Sequence, residues 1–272
     1  MIYGAIIGDI AGSRFEFDRG GKTKEFEMFT ADSTFTDDTV MTIAVANALL
    51  RLGEDADEEQ VKNTVTAYMQ KWGRKYPNAG YGAKFIHWIF AEDPQPYGSF
   101  GNGSAMRTSS VGWLYDDLDR TRQVARWVAE VSHNHPEGIK GAECTATVIW
   151  MARNGFSKED IKQAVTEIFE YDISRSVDEL RPFHEHIETC MDSMPKALAS
   201  FFEGESYEDV IRNAISLGGD TDTLAAIAGA MAEAYYGVPA GLIERVRWII
   251  PTEMLSKIDL LEELNWNRQV GK

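Results

Sequence analysis

Apolar residues recur at helical spacing along nearly the whole of this 272-residue chain, and no series of alternating, strand-like segments interrupts them. A chain with that period buries its hydrophobic surface by packing helix on helix, so the expected fold is all-α. The run that follows Val40, MTIAVANALLRL, is apolar on several sides and reads as a core helix stopped by Gly53. Asp57 suits the cap of the next helix, which carries Val61, Val65, Tyr68, Met69 and Trp72 before Pro77. Ser157 with Asp160, and Ser206 with Asp209, have the spacing of capping boxes. Pro136 fits the first turn of a helix through Met151 that ends near Asn154-Gly155. Final helices are expected over Asp222 to Tyr235, Pro239 to Trp248 and Thr252 to Leu264.

No Ser/Gly/Pro-rich linker, fixed-period repeat or low-complexity tract divides the sequence, so residues 1–272 read as a single domain. The longest stretches without helical period are Arg19 to Thr36, Glu92 to Gly103 and Tyr171 to Arg181; in a compact helical protein, loops of that length tend to frame a site. Gly4, Gly8 and Gly12 lie four apart and form one helix face that another backbone can approach closely. Each costs a helix about 1 kcal/mol relative to Ala, so the stripe needs a packing or site-related reason. Asp9, an acid in the same small and apolar run, needs a partner.

Charge narrows the function. Against 27 Lys and Arg stand 43 Asp and Glu, a net charge of −16, which excludes a simple cationic surface for nucleic acid or anionic lipid. Cys144 and Cys190 are too few for a disulfide framework and fit reduced thiols. With neither a basic, apolar leader nor a membrane span in view, a cytoplasmic location is expected.

Two acidic clusters, Thr36-Asp37-Asp38-Thr39 and Gly218-Gly219-Asp220-Thr221-Asp222-Thr223, each precede an apolar helix. Capping and the helix dipole account for one acid in each. They leave the second unexplained, since adjacent carboxylates repel and neither segment holds a Lys or Arg. A divalent cation offsets that repulsion. Thr36, Asp37, Asp38, Asp220, Asp222 and Thr223 offer the carboxylate and hydroxyl oxygens that Mg²⁺ or Mn²⁺ prefers, and with no nearby Cys zinc is a poor choice. If packing unites the two helix starts, four carboxylates can hold two cations within about 4 Å.

The loop Gly98-Ser99-Phe100-Gly101-Asn102-Gly103 precedes a helix start near Ser104. Its backbone N–H groups can cradle a phosphate and Phe100 can stack on a base, although such loops are also ordinary turns. It is neither a Walker A loop nor a Rossmann fingerprint. His133 and His135 lie just before the Pro136 helix, where a hydrogen-bonding role is commoner than metal ligation. His87, His184 and His186 have no chemical context, and Trp88 and Trp127 read as core or groove wall.

Five blocks in order resemble the ADP-ribosylglycohydrolase family: GAIIGDIAGSRFE from Gly4, FTDDT from Phe35, GNGSAMR from Gly101, SHNHPEGIKGAE from Ser132 and GGDTDTLAAIAGAMAEAYYG from Gly218. They span nearly the whole chain. The resemblance implies a compact, orthogonal all-α assembly around a central cleft with two Mg²⁺ or Mn²⁺ ions, hydrolysing the bond between ADP-ribose and its acceptor. By the same resemblance Thr36, Asp37 and Asp38 match the first group of metal ligands, and Asp220, Asp222 and Thr223 the second. Glu16 matches the acid of a mobile loop used for catalysis or coordination. Gly98, Ser99, Phe100 and Asn102 fall where the family contacts diphosphate and ribose, and His133 matches the histidine that helps hold the substrate. No metal-binding position is lost, so the metal-free, non-enzymatic branch matches less well. Acceptor preference is expected in the loop between Glu16 and Phe35, which carries no arginine- or serine-specific signature.

The leading expectation is metal-assisted hydrolysis at the anomeric carbon of the distal ribose, with Glu16, Asp37 or Asp38 moving the proton. The partner is then an ADP-ribosylated protein or a small ADP-ribosyl conjugate, with no membrane, and with nucleic acid only as a modified end. Two alternatives remain: a catalytically silent ADP-ribose-binding module, and a metal-dependent nucleotide phosphohydrolase.

Overall fold

The structure is a computed structural model that describes residues 1–20, 22–183 and 185–270; the reading of His184 lies outside the described residues. Helices dominate. In chain order they are α1 (Tyr3–Gly12), α2 (Asp37–Leu52), α3 (Glu58–Lys75), α4 (Ala83–Phe90), α5 (Gly103–Met106), α6 (Ser109–Leu114), α7 (Leu118–Glu130) and α8 (Pro136–Arg153). They continue with α9 (Lys158–Phe169), α10 (Val177–Leu180), α11 (Cys190–Glu203), α12 (Tyr207–Ser216), α13 (Thr221–Tyr236), α14 (Ala240–Arg247) and α15 (Thr252–Val270). Among the described residues the β pairing is an isolated antiparallel bridge between Gly101 and Thr189, so the all-α expectation holds.

Local chemistry sets the helix starts. Asp57 and Ser157 close full capping boxes with Gln60 and Asp160. Ser206 completes half of one: its hydroxyl accepts from Asp209 N, but the Asp209 carboxylate takes the N–H of Glu205 instead. Pro136 occupies the first turn of α8, and the His135 ring caps it by accepting from Glu137 N, which gives that histidine a structural role. The stretch from Tyr171 to Arg181 departs from the expected loop, because Ser176 and Glu179 form a capping box that starts α10. Four residues are too few for an apolar period to register. At the chain's end, α15 runs past Leu264 to Val270 with neither glycine nor proline among the added residues.

At the centre, α1 lies against α13. All ten residues of α1 are buried, as is α13 from Thr221 to Glu233. The glycine stripe makes this possible: a Cβ at Gly4, Gly8 or Gly12 would stand 2.3, 2.0 or 2.4 Å from the carbonyl oxygens of Gly229, Ala225 and Thr221. Polar bonds pin the contact, with Tyr207 Oη donating to Gly4 O at 2.9 Å and Thr221 Oγ1 to Gly12 O at 2.8 Å. Helices α8, α11 and α12 pack around α13, while α2 is covered by α1, α3, α6 and α15. One hydrophobic cluster runs through these elements from Met1 to Leu261. Among the described residues no helix is long and apolar enough to cross a membrane.

Candidate active site

The α1–α13 contact brings the two acidic clusters together. Asp9, on α1, finds its partners at the start of α2: Oδ2 accepts from Thr36 N at 2.9 Å and Thr39 N at 3.0 Å, and Oδ1 accepts from Thr36 Oγ1 at 2.8 Å. Thr36 also caps α2 through Asp38 N. Across the site Thr223 Oγ1, on α13, donates to Asp38 Oδ2 at 3.1 Å, joining residues 185 positions apart. Asn102 Nδ2 donates to Asp220 Oδ2 at 2.6 Å, which ties the glycine-rich loop to the same cluster.

Carboxylate oxygens gather in two groups, Asp9 with Asp38 and Asp222, and Glu16 with Asp220 and Asp222; within each group they lie within 4.8 Å of one another. Asp222 belongs to both. Burial, the largest cause in every case, raises all of these acids and Asp37 above the ordinary carboxylate range. Asp9 is pushed up to about 6 against the favourable pull of its threonine bonds. Glu16 is pushed to about 7, with Asp220 adding to burial and His186 and Arg19 opposing it. Asp37, Asp38 and Asp222 rise well above normal, their neighbouring carboxylates adding to burial.

Such crowding is costly unless positive charge offsets it. Among the described residues the buried Asp38 Oδ1 has no hydrogen-bond partner, and the donor set is all oxygen. A shared carboxylate between two acid groups suits a pair of hard divalent cations, so the residues present fit that cofactor. Thr36 and Thr223 serve the aspartates as hydrogen-bond donors here.

A cleft of about 530 Å³ opens beside the acids. Its lining comprises Glu16, Phe17, Asp37, Asp220, Asp222 and Thr223, Gly80 to Phe85 and Tyr97, and Ser99, Gly101 to Gly103, Met106, Arg107, His133 and Glu188. Gly98 and Phe100 lie outside the lining. Gly98 has φ +67° and donates its N–H to Asn134 Oδ1 at 2.7 Å. Phe100 is exposed and sets its ring against His135 at 5.3 Å, while its neighbours Ser99 and Gly101 face the cleft. Asn102 reaches the site but spends its amide on Asp220 and Ser193.

Sequence reasoning assigned no site role to Asp9, Tyr81, Arg107, His186 or Glu188. Asp9 carried a signal, as an acid in an apolar helix; Arg107 sat inside a matched block, whereas Tyr81 and Glu188 belong to no pattern. His186 bonds Glu188 at 2.8 Å and packs against Phe17, a residue at φ +58° beside Glu16.

The ADP-ribosylglycohydrolase family model matches residues 1–269. The chain belongs to the ADP-ribosylglycohydrolase family. Like its family it is a glycosidic-bond hydrolase that acts on ADP-ribose linkages. The chain is 27% identical over 312 residues to ADP-ribosylhydrolase ARH3 of Gallus gallus, covering 86% of this chain and 83% of that one. It is 25% identical over 289 residues to ADP-ribosyl-dinitrogen reductase glycohydrolase of Rhodospirillum rubrum, covering 98% and 92%. A solved structure titled ADP-ribosylglycohydrolase-related protein complex shares the fold, with a TM-score of 0.74 at 22% identity over 97% of this chain and 96% of that one.

Proposed function

We propose that this protein, acting as one domain, releases ADP-ribose from a mono-ADP-ribosylated protein or small conjugate, with two Mg²⁺ or Mn²⁺ ions as cofactors. The observation that carries the reading is the sharing of Asp222, which lines the cleft, between two groups of carboxylates that are buried except for the half-buried Glu16. Asp9, Asp38 and Asp222 would hold one ion and Glu16, Asp220 and Asp222 the other, with Asp37 at the cleft face and Thr36 and Thr223 orienting the aspartates. When bound, such ions lower the pKa of water and offset charge that develops at the reacting sugar.

The chain's own residues do the remainder. Glu16 lines the cleft half-buried, with a carboxyl raised to about 7 that is suited to carry a proton to or from the reacting centre. Asn102 orients Asp220. Ser99 and the backbone of Gly101 to Gly103 face the space that a diphosphate needs, and His133 lies beside them.

The test is a release assay with added Mg²⁺ or Mn²⁺ on substrates ADP-ribosylated on arginine, on serine and on a nucleic-acid end. Intact ADP-ribose from at least one substrate is the expected product. AMP or inorganic phosphate would instead identify a phosphohydrolase, and ADP-ribose binding without release from any of the three would identify a binding module.

A further inference from the structure

Arg107 is fully buried, yet among the described residues no carboxylate pairs with it and its Nε has no partner. Its Nη2 donates to Val128 O at 3.0 Å, Ala129 O at 3.3 Å and Ser132 Oγ at 3.0 Å, and its Nη1 stands 3.4 Å from His133 Nδ1. A guanidinium only donates. Ser132 Oγ, already accepting from Arg107, has its own proton free for His133 Nδ1 at 2.8 Å. Two donors therefore converge on Nδ1. That nitrogen must carry a lone pair, which puts the ring proton on Nε2.

The opposite edge of the ring meets the cleft. Among the described residues Nε2 has no hydrogen-bond partner, and it lies 3.4 and 3.3 Å from where a Cβ would stand at Gly101 and Gly103. Both glycines line the cleft, and a side chain at either would crowd that nitrogen. The rings of Phe85 and Tyr97 pack around the imidazole at 6.1 and 5.9 Å, and Arg107 is the charge that faces it. Burial, and then the Arg107 charge, hold the ring well below its usual pKa, so it is neutral at pH 7.

We propose that Arg107 and Ser132 lock His133 as a neutral imidazole whose Nε2–H donates into the cleft, and so act as positioning residues for the bound ligand. The ligand's identity rests on the function proposed above. The lock itself does not. A neutral donor binds a phosphate or ribose oxygen without the desolvation cost of an imidazolium and keeps its hydrogen bond over the whole neutral pH range.

Long-range ¹H–¹⁵N spectra of the full-length protein read the tautomer directly, with His133 assigned from the signals lost in His133→Asn. The expected result is an Nε2–H ring that stays neutral through the pH range around 6.5 in which a free imidazole charges. Ser132→Ala should admit an Nδ1–H population and weaken ADP-ribose binding about tenfold, the scale of one hydrogen bond, as read by calorimetry. Arg107→Met should bring the ring's titration back toward the ordinary range; if that variant does not fold, the unaltered protein and Ser132→Ala decide. An Nδ1–H ring, a ring charging near pH 6.5, or Ser132→Ala with unchanged spectrum and affinity would each overturn the lock. If the spectra are as expected and ADP-ribose does not bind, the proposed function fails and the lock stands.

Discussion

Asp38 has two oxygens in unlike surroundings: Oδ2 accepts from Thr223 and lies 3.2 Å from the Thr36 hydroxyl, whereas Oδ1 is buried with no partner among the described residues. Asp222 is shared by both acid groups. Asp222→Asn should therefore remove activity on the order of a thousandfold, the scale of losing one preorganised electrostatic group. The same change should raise the thermal midpoint of the metal-free protein, since each pKa unit of relieved repulsion is worth about 1.4 kcal/mol. It should also abolish the stabilisation by Mg²⁺ or Mn²⁺, which for one ion at a hundred times its Kd is about 2.7 kcal/mol in the unaltered protein. Scanning fluorimetry with and without the metal checks both, and a full metal response in the variant contradicts the assignment. The raised carboxyls also fix a pH dependence. Asp9 and Glu16 titrate at about 6 and about 7 in the folded chain, so between about pH 4 and those values it holds protons that the unfolded chain has released. Their contribution to stability is present below about pH 4 and lost as pH rises toward about 7. A metal-free melting series should record the fall across that window, and divalent cations should reverse it at neutral pH. Sequence clusters disclosed the paired acids because adjacent carboxylates without a nearby cation are visible in one dimension. Asp9 as a member of the group was not, since its oxygens meet Asp38 and Asp222 only after folding.

At the scale of elements, the α1–α13 contact positions the acids, and its glycines differ from glycines elsewhere. At Gly8 a Cβ would stand 2.0 Å from the main-chain oxygen of Ala225, an atom that cannot swing aside. Gly8→Ala should lower stability by about 3 kcal/mol or more, because the helices must part, and should weaken the response to Mn²⁺ by shifting the start of α13. Gly241 on α14 has nothing within 4 Å of its added Cβ, so Gly241→Ala should gain up to about 1 kcal/mol of helix propensity. Urea midpoints of the two variants should move in opposite directions. Most long helices were legible because their caps and apolar period agree, as at Asp57 and Ser157. The short α10 was not, and neither was the outward turn of Phe100, since a loop of glycines leaves side-chain direction to tertiary contacts.

Over the whole molecule, the chain's two ends are woven together: α1 packs on α13, and α15 packs on α2. Helices from the two ends of the sequence thus share contacts, an arrangement that favours one cooperative unit. Urea transitions followed by tryptophan fluorescence and by far-UV circular dichroism should coincide, and two separated transitions would divide the chain into more than one domain. A net charge of −16 adds self-repulsion, part of it concentrated around Asp222. The contact at Gly8 and Gly12 is main chain against main chain, and Gly12 lies beside the Asp222 backbone. A spacer of that kind has no side chains to exchange for longer or shorter ones. Mutational drift can reshape the outer layers of the protein while the gauge between Asp9 and Asp222 keeps its setting.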